Sequence, residues 1–153
     1  MRKQKGFSLI ELLIVVGIIG ALTAIAVPAY QSYTLKSEAT AGVATVKSIL
    51  TNIDVLNQEV DFPADTTDNW TKIGAAKDMS NLGAMTLAQT TETTGTGADE
   101  KTTVKGGTIT FAFNSDAALT GKKIRFTKSA NGWACIHDTG VEKLKSCVAG
   151  TVN

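Results

Sequence analysis

The 153-residue sequence predicts an α+β fold: a long N-terminal α-helix whose C-terminal half packs on an antiparallel sheet of about four strands, followed by a C-terminal disulfide loop. Three observations carry this expectation. A nearly uncharged stretch from Phe7 to Ala29 is continued by apolar residues at every third or fourth position. Short β-favouring runs separated by turn residues fill the second half. Two cysteines, Cys135 and Cys147, stand close together near the end.

The first element begins behind a basic flank of Arg2, Lys3 and Lys5. From Phe7 to Ala29 the only charge is Glu11, and Ser8 and Thr23 are the only other polar side chains. About 20 apolar residues rising about 1.5 Å each span about 30 Å, the thickness of a bilayer's hydrocarbon core. The basic flank holds its end in the cytoplasm, so residues after Tyr30 lie outside. An ordinary secretory signal peptide, cut near Ala24 to Ala26, is the alternative. The apolar run is longer than such a signal's core, however, and Glu11 stands near its start. A carboxylate in a membrane costs about 2.5 to 3.5 kcal/mol on insertion scales, so Glu11 calls for a partner and a role.

Beyond Pro28, the positions Leu35, Ala39, Val43, Val46, Ile49 or Leu50, Ile53 and Leu56 form one helical stripe, with Lys36, Glu38, Lys47 and Asp54 between them. Both halves read as one helix of about 50 residues, roughly 75 Å long, and Pro63 supplies a stop. Gly17, Gly20 and Pro28 weaken its first half. Bending or local melting between them is one reading; close packing around small residues with a mild kink is the other.

Asp61 to Gly83 reads as a connection containing Trp70 and a short helix. The strand expectations are Ala84–Thr90, Thr108–Asn114, Lys123–Lys128 and Gly132–His137, with turns at Gly106-Gly107, Thr120-Gly121 and Asn131-Gly132. Alternation puts Ile109, Phe111 and Phe113 on one face, matched by Ile124 and Phe126, and that face is expected to cover the amphipathic helix. Thr90 to Lys105 is rich in Thr and Gly and reads as an exposed loop.

A net charge of +1 points to no large basic surface. The most basic local run, Lys122, Lys123, Arg125 and Lys128, reads as a solvated strand face. His137 is the only histidine, and no nucleophile motif or Gly-rich phosphate loop occurs, so neither an enzyme nor a cofactor or metal site is expected. Asn69-Trp70-Thr71 fits a glycosylation sequon, a pattern too short to carry weight. Cys135 and Cys147 form a disulfide in an oxidising compartment or remain inert thiols in a reducing one, and an extracytoplasmic location favours the bond. The enclosed loop would stabilise the fold by roughly 3 kcal/mol.

The run Lys5-Gly6-Phe7-Ser8-Leu9-Ile10-Glu11-Leu12, continuing through Leu13-Ile14-Val15-Val16 to Pro28-Ala29-Tyr30, closely resembles the class III signal and N-terminal helix of type IV pilins, the type IVa group in particular. The resemblance implies cleavage between Gly6 and Phe7 by a membrane-embedded prepilin peptidase, with N-methylation of Phe7 and retention of the helix. It divides the chain into a leader (1–6), a transmembrane and polymerisation helix (7–30) and an extracytoplasmic pilin domain (31–153) that includes the amphipathic half of the helix. Leader removal lowers Lys+Arg from 15 to 12 against 14 acids and creates a cationic amino group at Phe7. In the family the acid matching Glu11 draws in the Phe amino group of a neighbouring subunit. Gly132-Trp133-Ala134-Cys135 and Lys145-Ser146-Cys147 look like the borders of the family's C-terminal disulfide loop.

The implied role is a structural subunit held in the inner membrane as a precursor and assembled into an extracellular helical homopolymer. The implied partners are other pilin subunits, prepilin peptidase, the inner-membrane assembly machinery, host or abiotic surfaces, and DNA. Adhesion, twitching motility and DNA uptake are the family's uses of the fibre. A minor pilin or a type II secretion pseudopilin shares the leader and helix. Major pseudopilins usually carry a calcium site in place of the disulfide loop, and Asp138 and Glu142 are the acids available near that end.

Overall fold

A computed structural model describes residues 6–59, 61–95 and 99–153. Two compact units divide the chain, Met1–Thr34 and Leu35–Asn153. Arg2, Lys3 and Lys5, the cations of the expected leader, lie outside the described residues.

Helix α1 runs from Leu9 to Glu59. In the first unit it consists almost wholly of Leu, Ile, Val, Ala and Gly, and Gly17, Gly20 and Pro28 all lie inside it. The Thr23 hydroxyl lies 2.9 Å from the Ile19 carbonyl oxygen and 3.0 Å from that of Gly20, so it donates within the helix and leaves no unpaired donor on the apolar surface.

In the second unit the stripe expected from the sequence buries Ala39, Val43, Val46, Ile49 and Ile53. At the 49/50 position Ile49 takes the core and Leu50 is only half-buried. Gly42 also lies on the buried face, where a Cβ would stand 2.9 Å from Phe113 Cζ and 3.0 Å from Ile124 Cδ1. The missing side chain lets helix and sheet approach there, which a helix-propensity reading of glycine does not reveal.

The sheet has five strands in the order β1 (Gly83–Thr94), β2 (Lys101–Phe113), β3 (Lys123–Ser129), β4 (Gly132–His137) and β5 (Val148–Ala149). The first four pair antiparallel, and β5 pairs parallel with β4. Two cross-sheet rows make the core face. Leu87, Ile109, Phe126 and Cys135 are successive partners in one, and Met85, Phe111, Ile124 and His137 in the other. With the helix stripe, Phe62, Trp70 and Ile73, these residues form one buried cluster apart from His137, which is buried beside it. A four-residue stretch between sheet and helix, Ala117 to Thr120, is tied down by Glu38, whose carboxylate accepts the Ala118 and Leu119 N–H groups at 3.1 Å each.

Two expectations need correction. The sheet gains a fifth strand, β5, which two residues could not announce by alternation. Thr90 to Lys105 is not simply a loop: Thr91 to Thr94 pair with Lys101 to Val104, past a register shift between Thr90 and Thr91. Most of their side chains are exposed, and only Val104 packs against the core, so backbone pairing largely holds this end of the hairpin. The connection does contain the short helix expected there, α2 (Thr67–Lys72), capped by the Thr66 side chain, and its Trp70 is a core residue whose Nε1–H donates to Asp65 at 2.7 Å.

Candidate assembly site

The chain before α1 is short and open. Gly6, Phe7 and Ser8 are outside the helix and exposed, and Phe7 is 90% exposed. Helix starts leave N–H groups without intrahelical acceptors. Here Ser8 precedes the first helical residue and Glu11 follows three positions later, the spacing of a capping box. The Glu11 carboxylate reaches back to accept the Ser8 N–H at 2.9 Å. It therefore places one negative charge at the positive end of the helix dipole.

From Leu9 to Val27 every large apolar side chain is 50 to 77% exposed. The most apolar window of α1 has a mean hydropathy of 2.6 with none of it buried. Length and composition suffice to cross a membrane. An apolar surface that encircles a helix cannot rest in water and must be covered by lipid or by other apolar helices. Gly17 and Gly20 leave open space at their Cβ positions, so they are flat spots on that surface.

At the opposite end of the sequence, Cys135 on β4 is bonded to Cys147 just before β5, with Cα atoms 4.6 Å apart. The enclosed loop is anchored by buried Leu144, and beyond it the Gly150 N–H donates to the His137 carbonyl at 2.8 Å. Ser146 has φ +66°, a left-handed conformation that turns the chain into Cys147. Asp138 accepts the Lys123 N–H at 2.6 Å, and Glu142 is exposed. Among the described residues, no group of three or more His, Cys, Asp or Glu is placed to hold a metal ion.

His137 faces the core. Its Nδ1 lies 2.8 Å from the Thr139 hydroxyl, and Nε2 is buried without a partner. Burial pushes its pKa down, opposed by the neighbouring Asp138 carboxylate. The basic run is more engaged than a solvated face. Lys128 pairs with Asp54 at 2.8 Å and lies over the Trp133 ring, while Arg125 bonds Thr110 and the Asn153 carbonyl. Asp54 also accepts the Trp133 Nε1–H. Sequence reasoning missed these links because the partners lie far apart in the chain.

An uncovered helix long and apolar enough to cross a membrane, joined in sequence to a disulfide-closed α+β domain, defines the class by architecture. Residues 1–27 match the family described as the prokaryotic N-terminal methylation motif, and residues 36–148 match the family described as pilin (bacterial filament). A type IV major fimbrial protein FimA of Dichelobacter nodosus is 36% identical over 154 residues, spanning 93% of this chain and 94% of the relative. A fimbrial protein of Pseudomonas aeruginosa is 32% identical over 145 residues, spanning 87% of this chain and 92% of the relative. Fimbrial protein Q of Moraxella bovis is 54% identical over 54 residues, 35% of this chain. The chain belongs to the type IV pilin family, and its class of function is that of a structural pilin subunit.

Proposed function

We propose that this pilin is cut between Gly6 and Phe7 by a prepilin peptidase, N-methylated at Phe7, held in the inner membrane by residues 7–30, and polymerised through that helix into an extracellular type IV pilus. The observation that carries this reading is the apolar surface of α1 from Leu9 to Val27, exposed on all sides and interrupted by one carboxylate, Glu11. An open, exposed peptide bond two residues before α1 suits proteolysis, which needs extended backbone.

Cleavage leaves a cationic amino group that has no place in a dry helix bundle without an anion. Glu11 supplies it to the Phe7 amino group of a neighbouring subunit. The same head-to-tail contact repeated without closure gives a helical fibre. Gly17, Gly20 and Pro28 let the helix adjust between lipid and bundle. Residues 31–153 stay outside the membrane and cover the fibre, presenting it to surfaces for adhesion and twitching motility, with DNA uptake as a further use. The subunit acts structurally and not as an enzyme, and its partners include the inner-membrane assembly machinery.

Mass spectrometry of the chain recovered from cells carrying a prepilin peptidase tests the processing step. The expected N-terminus is N-methylated Phe7. A chain beginning after Ala26, or one still beginning at Met1, contradicts the proposal.

A further inference from the structure

Within the second unit, the disulfide loop and α1 enclose a cleft of ≈ 350 Å³ lined by Lys36, Thr40, Val43, Lys143, Leu144 and Lys145. Its apolar floor is buried, Val43 at 6% and Leu144 at 8% exposed, whereas its three lysines are exposed. None of the three makes an ion pair among the described residues, although Lys72, Lys77, Lys105 and Lys128 each have a carboxylate partner. The acids nearest in sequence do not fill the gap. Glu38 is spent on the Ala118 and Leu119 N–H groups, and Asp138 accepts the Lys123 N–H. Glu142 is exposed beside Lys143 and leaves the cleft with a surplus of positive charge.

The backbone that carries the three lysines is held in place. Lys143 and Lys145 flank Leu144, which is anchored in the core, and the loop is closed by Cys135–Cys147. Lys36 and Thr40 are one turn apart on α1, with the Thr40 hydroxyl donating to the Lys36 carbonyl at 2.7 Å. Three lysines without a carboxylate partner line this one cleft, and an anion with several acceptor oxygens would offset their mutual repulsion.

We propose that this cleft binds the phosphate of an anionic lipid headgroup while the subunit waits in the membrane. Lys36 stands six residues after Tyr30, where the apolar run ends, about 9 Å of helix rise and so about one Debye length from the headgroup layer on that side. The assignment of lipid as the phosphate source rests on the membrane reading above.

The test uses the full chain reconstituted in vesicles of phosphatidylcholine with phosphatidylglycerol, released in mild detergent, and examined by native mass spectrometry for retained lipid. Wild type is expected to retain phosphatidylglycerol at least about tenfold over phosphatidylcholine, the ratio equivalent to one 1.4 kcal/mol step. Added inorganic phosphate is expected to displace it. The variant K36Q/K143Q/K145Q loses the preference, while K47Q/K101Q/K122Q, which removes equal charge from exposed sites elsewhere, keeps it. An unchanged preference in the first variant, equal loss in both, or retention of a short DNA duplex in place of lipid overturns the proposal. Resistance of the vesicle-bound chain to alkaline carbonate separates the two readings: a chain that is not membrane-embedded fails the membrane reading, and an embedded chain without lipid preference fails this inference alone.

Discussion

The Glu11 carboxylate accepts a hydrogen bond from the Ser8 N–H at 2.9 Å, so the one charged side chain in the apolar helix is engaged with its own helix start. A free carboxylate on a lipid-exposed helix has no water to solvate it. Folding back onto the N-terminal N–H groups lowers that cost within a single subunit. The same position, one turn from Phe7, is where a new amino group from a neighbour would need a counter-charge. Capping in the monomer and the proposed pairing in the fibre would then be two uses of one group, separable by experiment.

Gly42 sets the distance between α1 and the sheet. Ala at this position gains helix propensity of about 1 kcal/mol, but its Cβ would meet Phe113 at 2.9 Å and Ile124 at 3.0 Å. Overpacking of this kind costs about 1–3 kcal/mol, and Gly42→Val lies at or beyond the upper end. Urea unfolding of the full chain in detergent should show a lower midpoint for both variants, lowest for Val. By contrast, Gly17→Ala meets nothing within 4 Å and should leave the midpoint unchanged or slightly raised.

Replacing Cys135 and Cys147 together by Ala opens the C-terminal loop and should destabilise the second unit by roughly 3 kcal/mol. Val148–Ala149 has only two residues of pairing with β4, so it should lose hydrogen-exchange protection first. Equal protection of His137 and Gly150 amides in the double variant and the wild type would show that β5 is held by other means.

His137 makes stability depend on pH. Its pKa is lowered in the folded protein by burial, from an ordinary value of 6.5. The neutral ring is therefore favoured by folding. That contribution is fully present above about pH 6.5 and is lost as the pH falls from there toward the lower folded pKa. Unfolding midpoints measured from pH 8 to pH 5 should fall at the acid end. His137→Leu should flatten the curve across that window, even if its midpoint is lower throughout for want of the Thr139 contact.

Elements with a strong apolar period were legible from the sequence. The helix stripe from Leu35 to Leu56 and the alternation of Ile109, Phe111, Phe113, Ile124 and Phe126 place each residue by its own chemistry. The far end of the β1–β2 hairpin was not legible, because threonines facing water on both sides give no alternation to read. Nor was β5, whose two residues are positioned by their covalent neighbour Cys147. Gly42, Glu38 and the Asp54–Trp133 link were hidden for a different reason: each depends on a group brought close only by the folded chain, up to 81 residues away for Glu38. At the N-terminus, Glu11 could be singled out from the residues alone, since an isolated acid in an apolar run is costly, whereas the Gly6–Phe7 junction rested on the resemblance to type IV pilins. The bond between Glu11 and Ser8 needed coordinates.

The most direct test of assembly through the N-terminal helix compares sheared surface fibres from cells expressing wild type, Glu11→Gln and Glu11→Ala. Gln preserves the capping geometry, since a Gln at this position also returns a bond to the N-cap N–H, but it carries no charge. Leaving the neighbour's Phe7 amino group unpaired in the bundle costs about 3–5 kcal/mol. Both variants should therefore be processed and membrane-embedded yet yield almost no fibres. Wild-type fibre yield from Glu11→Gln, with loss confined to Glu11→Ala, would reduce Glu11 to a helix cap and contradict the account.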